Sequence, residues 1–464
     1  MRYAKIVCTI GPAVDSPEAI RELIEAGMDV ARLNFSHGTH EEHARRAEWI
    51  RKASLEMDKP VAILQDLCGP KIRTGRRGPE EVQTGQSVKL IAGEEGTEDA
   101  IAIGYEHLAR DLQEGDRILL GDGEIELRVR EVNSSGVVCH VEHGGPLRTR
   151  MGANLPSGRV RLDTITAQDR KDLAFGLAME VDYVALSFVR SAGDIAELRA
   201  LCEQAGRPTP IVPKIETPAA VENIEEIAEV SDALMLARGD LGVELSPEAV
   251  PVVQKRVLEV CRAKRCPVII ATEMLQSMVE APRPTRAEAS DVANAVFDGA
   301  DAVMLSAETA SGRQPVRACA TMARIIEEAE ASPHHELRPS ETGPNTSEAI
   351  AHGACNVARL TQARGIVVFS CTGATARLVS KARPDRPVIG FAPEERALRR
   401  MALYWGVWPQ RYEMVFDADH LAASVCEYLK RRSLVEPGNR VVMVFGTPLG
   451  QPGSTNSIRV ETIR

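Results

Sequence analysis

Ile211-Val-Pro-Lys-Ile-Glu-Thr-Pro-Ala-Ala-Val-Glu-Asn-Ile224 reads as a strand that turns directly into a helix. Residues 211–216 are a short apolar run of strand length, rich in β-branched side chains. Thr217 is a helix N-cap, and Pro218 stands in the first turn, where a missing N–H costs nothing. Ser16-Pro-Glu-Ala-Ile-Arg-Glu-Leu-Ile-Glu-Ala-Gly27 opens the same way and closes on a glycine. Working outward, runs rich in Val, Ile and Leu recur at 4–10, 30–36, 61–67, 183–189, 211–216, 233–240, 268–275 and 302–308. Helix-like patterns separate most of them. Such alternation with short connections predicts parallel α/β architecture, and eight strands predict a closed (β/α)8 barrel.

Two regions break this pattern. After Gly69-Pro70 comes a Gly- and Glu-rich section with short strands, such as Ser87–Ile91 and Glu124–Val129. It predicts a small all-β domain inserted between the third and fourth barrel strands. The polar stretch Ser332–Thr346 reads as a linker. Beyond it, Gly365–Ser370, Pro387–Phe391 and Arg440–Phe445 repeat the strand–helix texture. The expected division is a catalytic barrel at 1–70 and 155–338, an inserted β domain at 71–154 and a C-terminal α/β domain at 339–464.

A net charge of -10 argues against a general nucleic-acid binder, although a local Arg/Lys cluster can still hold an anion. The ten cysteines are scattered, and Cys261 with Cys266 lacks the second pair of a zinc site. Reduced thiols, a cytoplasmic location and no membrane span are expected.

In a barrel, function gathers at the C-terminal ends of the strands. Strand period two puts Arg32, Asn34 and Ser36 on one face of 30–36, opposite Ala31, Leu33 and Phe35. It likewise pairs Lys214 with Glu216, and aligns Leu234, Leu236, Arg238 and Asp240. A lysine among buried carboxylates is costly unless a ligand joins them. Two carboxylates with waters and substrate oxygens suit Mg2+, and a nearby lysine suits a phosphoryl group in transfer. Glycines in Ala237-Arg-Gly-Asp-Leu-Gly242 let backbone N–H groups approach an anion. Thr272 ends the seventh strand, where its hydroxyl could relay a proton. Neither a P-loop nor G-x-G-x-x-G is present, so a nucleotide would be held by individual side chains.

Taken together, these strand ends resemble the pyruvate kinase family. The resemblance rests on Lys5–Pro12, Asp29–Gly38, Gly69–Gly75, Pro213–Glu216, Ala237–Gly242, Ala271–Leu275, Pro284–Asn294 and Thr455–Val460, in family order along nearly the whole chain. It implies a TIM barrel, an inserted small β-barrel that acts as a lid, and a C-terminal regulatory domain. The implied reaction is phosphoryl transfer from phosphoenolpyruvate to ADP, giving pyruvate and ATP, the last step of glycolysis. By resemblance, Lys214 stabilises the phosphoryl group, Arg32 holds its oxygens, and Glu216 and Asp240 bind Mg2+ (or Mn2+). Gly239, Asp240 and Thr272 hold the substrate carboxylate, with Thr272 on the protonation route. Asn34, His37 and Arg73 match contacts on the nucleotide or phosphate side. Ser370, Thr372 and Thr375 match a loop for a phosphorylated effector, such as a sugar phosphate or AMP. The family also implies a homotetramer.

The chain departs from that pattern in places. Asn34, Ser36, Asp66 and Leu67 stand at a monovalent-cation site, normally for K+, but Leu67 replaces a common threonine. Lys71 stands where K+-dependent members have glutamate, and its ammonium can supply the charge of K+. The expectation is an enzyme that works without K+. Glu273 replaces a usual glutamine, with strand alternation turning it away from the site. Met151 replaces a nucleotide-contacting lysine, for which Arg150 is the available substitute. Ala374 lacks the effector loop's usual cation. Two other readings compete: a metal-dependent barrel aldolase of 2-oxoacids, and a catalytically silent paralogue that senses metabolites.

Overall fold

The computed structural model describes residues 2–464 except 122, 135, 157–159, 161, 413–416 and 451–452. Eight parallel strands, Lys5–Thr9, Val30–Asn34, Ala62–Asp66, Tyr183–Leu186, Ile211–Ile215, Leu234–Ala237, Val268–Ala271 and Ala302–Leu305, close into a barrel in chain order. The eighth pairs with the first, Lys5 opposite Ala302. The caps form as the sequence implies. Ser16 accepts the Ala19 N–H, Thr217 accepts the Ala220 N–H, and Gly27 ends its helix at φ 125°. Period-two alternation sends Val30, Leu64 and Met235 to the barrel interior, and Leu33, Ile63 and Leu236 to the helix layer. All ten cysteines are free thiols.

The inserted sheet has six strands, ordered Ala153–Asn154, Arg117–Leu120, Ile125–Asn133, Gly136–His143, Ser87–Ala92 and Ala100–Ile103. Residues 72–75 bridge its two edges. Thr74 N–H donates to the Met151 carbonyl and Gly75 N–H to that of Ala102. The sheet is thereby curled around its own apolar core of Leu90, Ile118 and Leu127.

The C-terminal domain is a five-stranded sheet ordered Val407–Arg411, Val388–Ala392, Gly365–Phe369, Arg440–Gly446 and Thr455–Thr462, the last antiparallel. The first and last of these carry no clear strand signal in the sequence. The domain covers the N-terminal end of the barrel, its foot. Tyr183 Oη donates to the Arg400 carbonyl (2.8 Å) and Lys5 Nζ to that of Val407 (2.7 Å).

A repeat unnoticed in the sequence organises this foot. Asp29, Asp182, Asp232 and Asp301 precede the second, fourth, sixth and eighth strands. Each carboxylate accepts an N–H from the first two residues of the preceding odd strand: Ile6, Ile63, Ile211 and Val268, at 2.8, 2.8, 2.9 and 2.8 Å. Each also meets a cation. Arg2 pairs with Asp29, Arg51 and Arg399 with Asp182, Arg199 with Asp232, and Lys381 and Arg383 with Asp301. The barrel's first N–H groups would otherwise lack acceptors, which buried backbone does not tolerate. Among the described residues, no helix is long and apolar enough to cross a membrane.

Candidate active site

At the opposite end, the mouth, charged groups converge from separate strands. Arg32 donates from Nε to Asp66 Oδ2 (2.6 Å) and from a terminal nitrogen to Thr9 Oγ (3.0 Å). Lys214 Nζ lies 2.6 Å from Glu216 Oε1 and 3.6 Å from Asp66 Oδ1, and donates to Ser187 Oγ at 3.0 Å. All four charged side chains are buried. Burial opposes charge on Lys214, but Asp66, Glu216 and Asp240 outweigh it and hold the ammonium above the usual lysine range. Burial also pushes Glu216 up; Lys214 opposes this, Asp240 adds to it, and the net direction is upward. Asp66 moves the other way, because Lys214 and Arg32 outweigh its burial.

Three carboxylates therefore share two cations. Glu216 Oε1 is at ion-pair distance from Lys214, yet neither it nor Asp66 Oδ1 has an aligned hydrogen-bond donor. Among the described residues, no cluster of three or more His, Cys, Asp or Glu is arranged to hold a metal alone. The Glu216 oxygen left without an aligned donor fits Mg2+, which takes one or two carboxylates and fills its octahedron with water and substrate oxygens.

The backbone is strained here. Phe188, Thr272 and Glu273 have φ of 55°, 69° and 56°. For a β-branched residue such as Thr272 this is a genuine outlier, held only by surrounding structure. The Phe188 turn aims its N–H at Glu216 Oε2 (2.8 Å). The Thr272 turn places Oγ where it accepts the Gly239 N–H (2.7 Å) and donates to the Ala271 carbonyl (2.6 Å).

These turns correct two sequence readings. The seventh strand ends at Ala271, so alternation does not orient Thr272 or Glu273; Glu273 is exposed. The sixth strand ends at Ala237, and Arg238–Glu244 is a short helix. Leu234 and Leu236 face the helix layer, while Arg238 turns away to Asp291 (2.7 Å). Asp240 reaches the mouth because a helix starts there, not because strand period carries it.

The remaining candidates divide by location. Asn34 Oδ1 accepts the Ser36 N–H in a turn that also brings His37 to the rim. Partial burial lowers His37, and Arg73, Lys71 and Arg32 lower it further, so these cations all reach this corner. Arg73 donates to the Arg150 carbonyl (3.1 Å). Leu67 is buried, and its carbonyl accepts from Ser187 Oγ (2.7 Å). Lys71 is exposed and lines a cleft between the inserted domain and the barrel, with Asn154, Phe188, Asp240 and Glu244. Met151 packs into the inserted domain's core, because its side chain is apolar where a lysine would stay in water.

Ser370, Thr372 and Thr375 lie apart, lining a cavity of about 110 Å³ in the C-terminal domain. Ser370 Oγ accepts the Gly373 N–H (3.0 Å), and the Thr375 and Thr455 hydroxyls bond at 2.6 Å. Sequence reasoning missed Ser187, which touches both Lys214 and Leu67. Its only signal was a hydroxyl late in the fourth apolar run, just past the Leu186 at which the strand ends.

Comparison with known proteins agrees with this geometry. Residues 1–319 match a family model described as "Pyruvate kinase, barrel domain", and residues 348–461 match one described as "Pyruvate kinase, alpha/beta domain". Curated proteins named pyruvate kinase from Sporosarcina psychrophila, Agrobacterium vitis and Clostridium acetobutylicum are 44%, 43% and 40% identical. Each comparison covers 100% of this chain, and 81%, 97% and 100% of the respective relative.

Proposed function

The chain belongs to the pyruvate kinase family, an enzyme family of phosphotransferases, and on that basis we propose that it moves the phosphoryl group of phosphoenolpyruvate to ADP at the barrel mouth. The observation that carries the reading is the cluster in which buried Lys214 and Arg32 face buried Asp66 and Glu216 and half-buried Asp240. Glu216 and Asp240 would hold Mg2+ (or Mn2+), which when bound neutralises charge on phosphate oxygens. Lys214 and Arg32 carry fixed positive charge at the place where phosphoryl transfer spreads negative charge, so the site needs little reorganisation. The Gly239 and Asp240 amides and the Thr272 hydroxyl would hold the substrate carboxylate once it displaces the Gly239 N–H to Thr272 and Thr272 to Ala271 hydrogen bonds, which leaves Thr272 on the protonation route. The inserted domain covers the cleft and excludes water that would compete for the phosphoryl group.

Potassium is a separate question. Lys71, with Arg32 and Arg73, lowers His37, which shares the turn of Asn34 and Ser36. This supports activity without K+. The C-terminal cavity supports a phosphorylated effector, held by hydroxyls and loop amides, and the family supports a cytoplasmic homotetramer.

The test follows pyruvate release from phosphoenolpyruvate and ADP with Mg2+ in buffer free of K+ and NH4+, then with K+ added. Full activity at the start supports both the reaction and the Lys71 role. Activity only after K+ keeps the reaction and removes that role. No pyruvate in either case, with or without sugar phosphates and AMP, moves the chain toward the aldolase or sensor readings.

A further inference from the structure

The inserted domain joins the barrel through two chains, one leaving at Gly69 and one returning before Thr166. One side chain ties both. Asp169 Oδ1 accepts the Gly69 N–H (3.1 Å), while Oδ2 accepts the N–H (2.9 Å) and the hydroxyl (2.6 Å) of Thr166. Asp169 is fully buried, and among the described residues no arginine or lysine pairs with it. Its partners are all neutral donors from the two connecting chains.

A helix cap does not explain this. Thr166 and Asp169 form a reciprocal capping box on helix Ala167–Ala178, and that box uses Oδ2 alone. Oδ1 is free for Gly69, which is 100 residues away in sequence. The helix beneath is firmly seated. Gln65 donates to the Asp172 carbonyl (2.6 Å), and His40 bonds to the Asp172 carboxylate (2.6 Å). The outgoing chain is equally constrained: Gly69 has φ 69°, and a Cβ there would lie 2.9 Å from Ser187 Cβ. Two residues earlier, the Leu67 carbonyl holds Ser187, which touches Lys214.

We propose that Asp169 is the fulcrum of the inserted domain: a positioning residue that sets the spacing of its two connecting chains. The proposal rests on the reading of that domain as a lid over the nucleotide. Lid placement, rather than folding, then depends on the second carboxylate oxygen.

The test uses the full-length enzyme and three variants. Asp169→Asn puts an amide N–H against one of the donors. Asp169→Glu keeps a capping-box residue but misplaces the oxygen that reaches Gly69. Thr166→Ser keeps every hydrogen bond and serves as the control. The KM for ADP should rise about fivefold or more in both Asp169 variants, while that for phosphoenolpyruvate changes less than about twofold. Amide exchange at 69–71 should accelerate in the same two variants, and the control should match the parent in every readout. The proposal is overturned if the Asp169 variants only lower the melting temperature, or weaken both substrates equally at temperatures where they are folded. Should the parent make no pyruvate, the lid reading falls. The fulcrum is then judged by amide exchange at 69–71 and the radius of gyration, unchanged values in folded Asp169→Asn counting against it.

Discussion

The two ends of the barrel both bury carboxylates beside cations, and they balance them in opposite ways. At the foot, each of Asp29, Asp182, Asp232 and Asp301 has a strand N–H and at least one cation of its own. Asp301 Oδ1 lacks an aligned donor, but that carboxylate has two cations. At the mouth, Asp66, Glu216 and Asp240 share Arg32 and Lys214, and Glu216 is pushed upward instead of being held ionised. Backbone geometry divides the same way. The left-handed residues Glu180 and Arg265 at the foot follow helix ends, where that conformation is ordinary. Thr272 at the mouth follows a strand and is β-branched. Charge that is fully partnered by the chain stabilises the fold, whereas charge left under-partnered is available to a ligand.

Substitutions should separate the two ends. Lys214→Met should lower kcat by about a thousandfold or more, by removing charge that acts on the transition state. Its melting temperature should stay near the parent's; a large drop would make Lys214 part of the scaffold and erase the contrast.

Asp301→Ala should do the reverse. It leaves Lys381 and Arg383 buried without their carboxylate, at a cost of about 3–5 kcal/mol in denaturant titrations. The kcat of the folded fraction should be nearly unchanged.

Lys5 sharpens the comparison from the foot. Burial is the largest influence on it and takes it from 10.5 to about 8, despite Asp29. Its folded value lies below its unfolded value, so the unfolded chain binds more protons between the two. Stability from this group must rise with pH across roughly 8 to 10.5, and Lys5 lowers stability below that window. Lys5→Met should therefore be more stable than the parent near neutral pH, by on the order of 3 kcal/mol at most. The difference should shrink toward pH 10.5, and a constant difference across the window would refute it.

The smallest effects belong to Thr272. Thr272→Ser keeps the hydroxyl and relieves β-branching at positive φ, so stability should be unchanged or higher by under about 1 kcal/mol, with kcat within a few-fold. Thr272→Ala should lose activity by about tenfold or more while remaining folded. Equal activity in the two would leave the hydroxyl without a role.

Much of the mouth was visible in the sequence. Arg32 and Lys214 sit within strands, where alternation decides their face, and the structure brings them together. Alternation pointed to Asp240, and the end of the seventh strand to Thr272, but they lie past their strand ends in a helix start and a left-handed turn. The four foot aspartates went unread, although each precedes a strand, because a charged residue before an apolar run carries no distinctive local signal. Strands Val407–Arg411 and Thr455–Thr462 were missed for a related reason: both are edge strands of mixed exposure and lack a continuous apolar run.

By itself, the sequence determined the eight apolar runs, the helix caps between them, the inserted and C-terminal units, and the family. All of these depend on neighbours within one or two turns of chain, where side-chain period and capping act directly. Tertiary structure decided the closure of the barrel, the sharing of two cations among three carboxylates, the strained turn at Thr272, and the tie from Asp169 to Gly69. These contacts join residues as far apart as Lys5 and Ala302, paired where the barrel closes. No local period encodes such pairs; they arise only when packed elements bring them together and exclude the water that would otherwise solvate them.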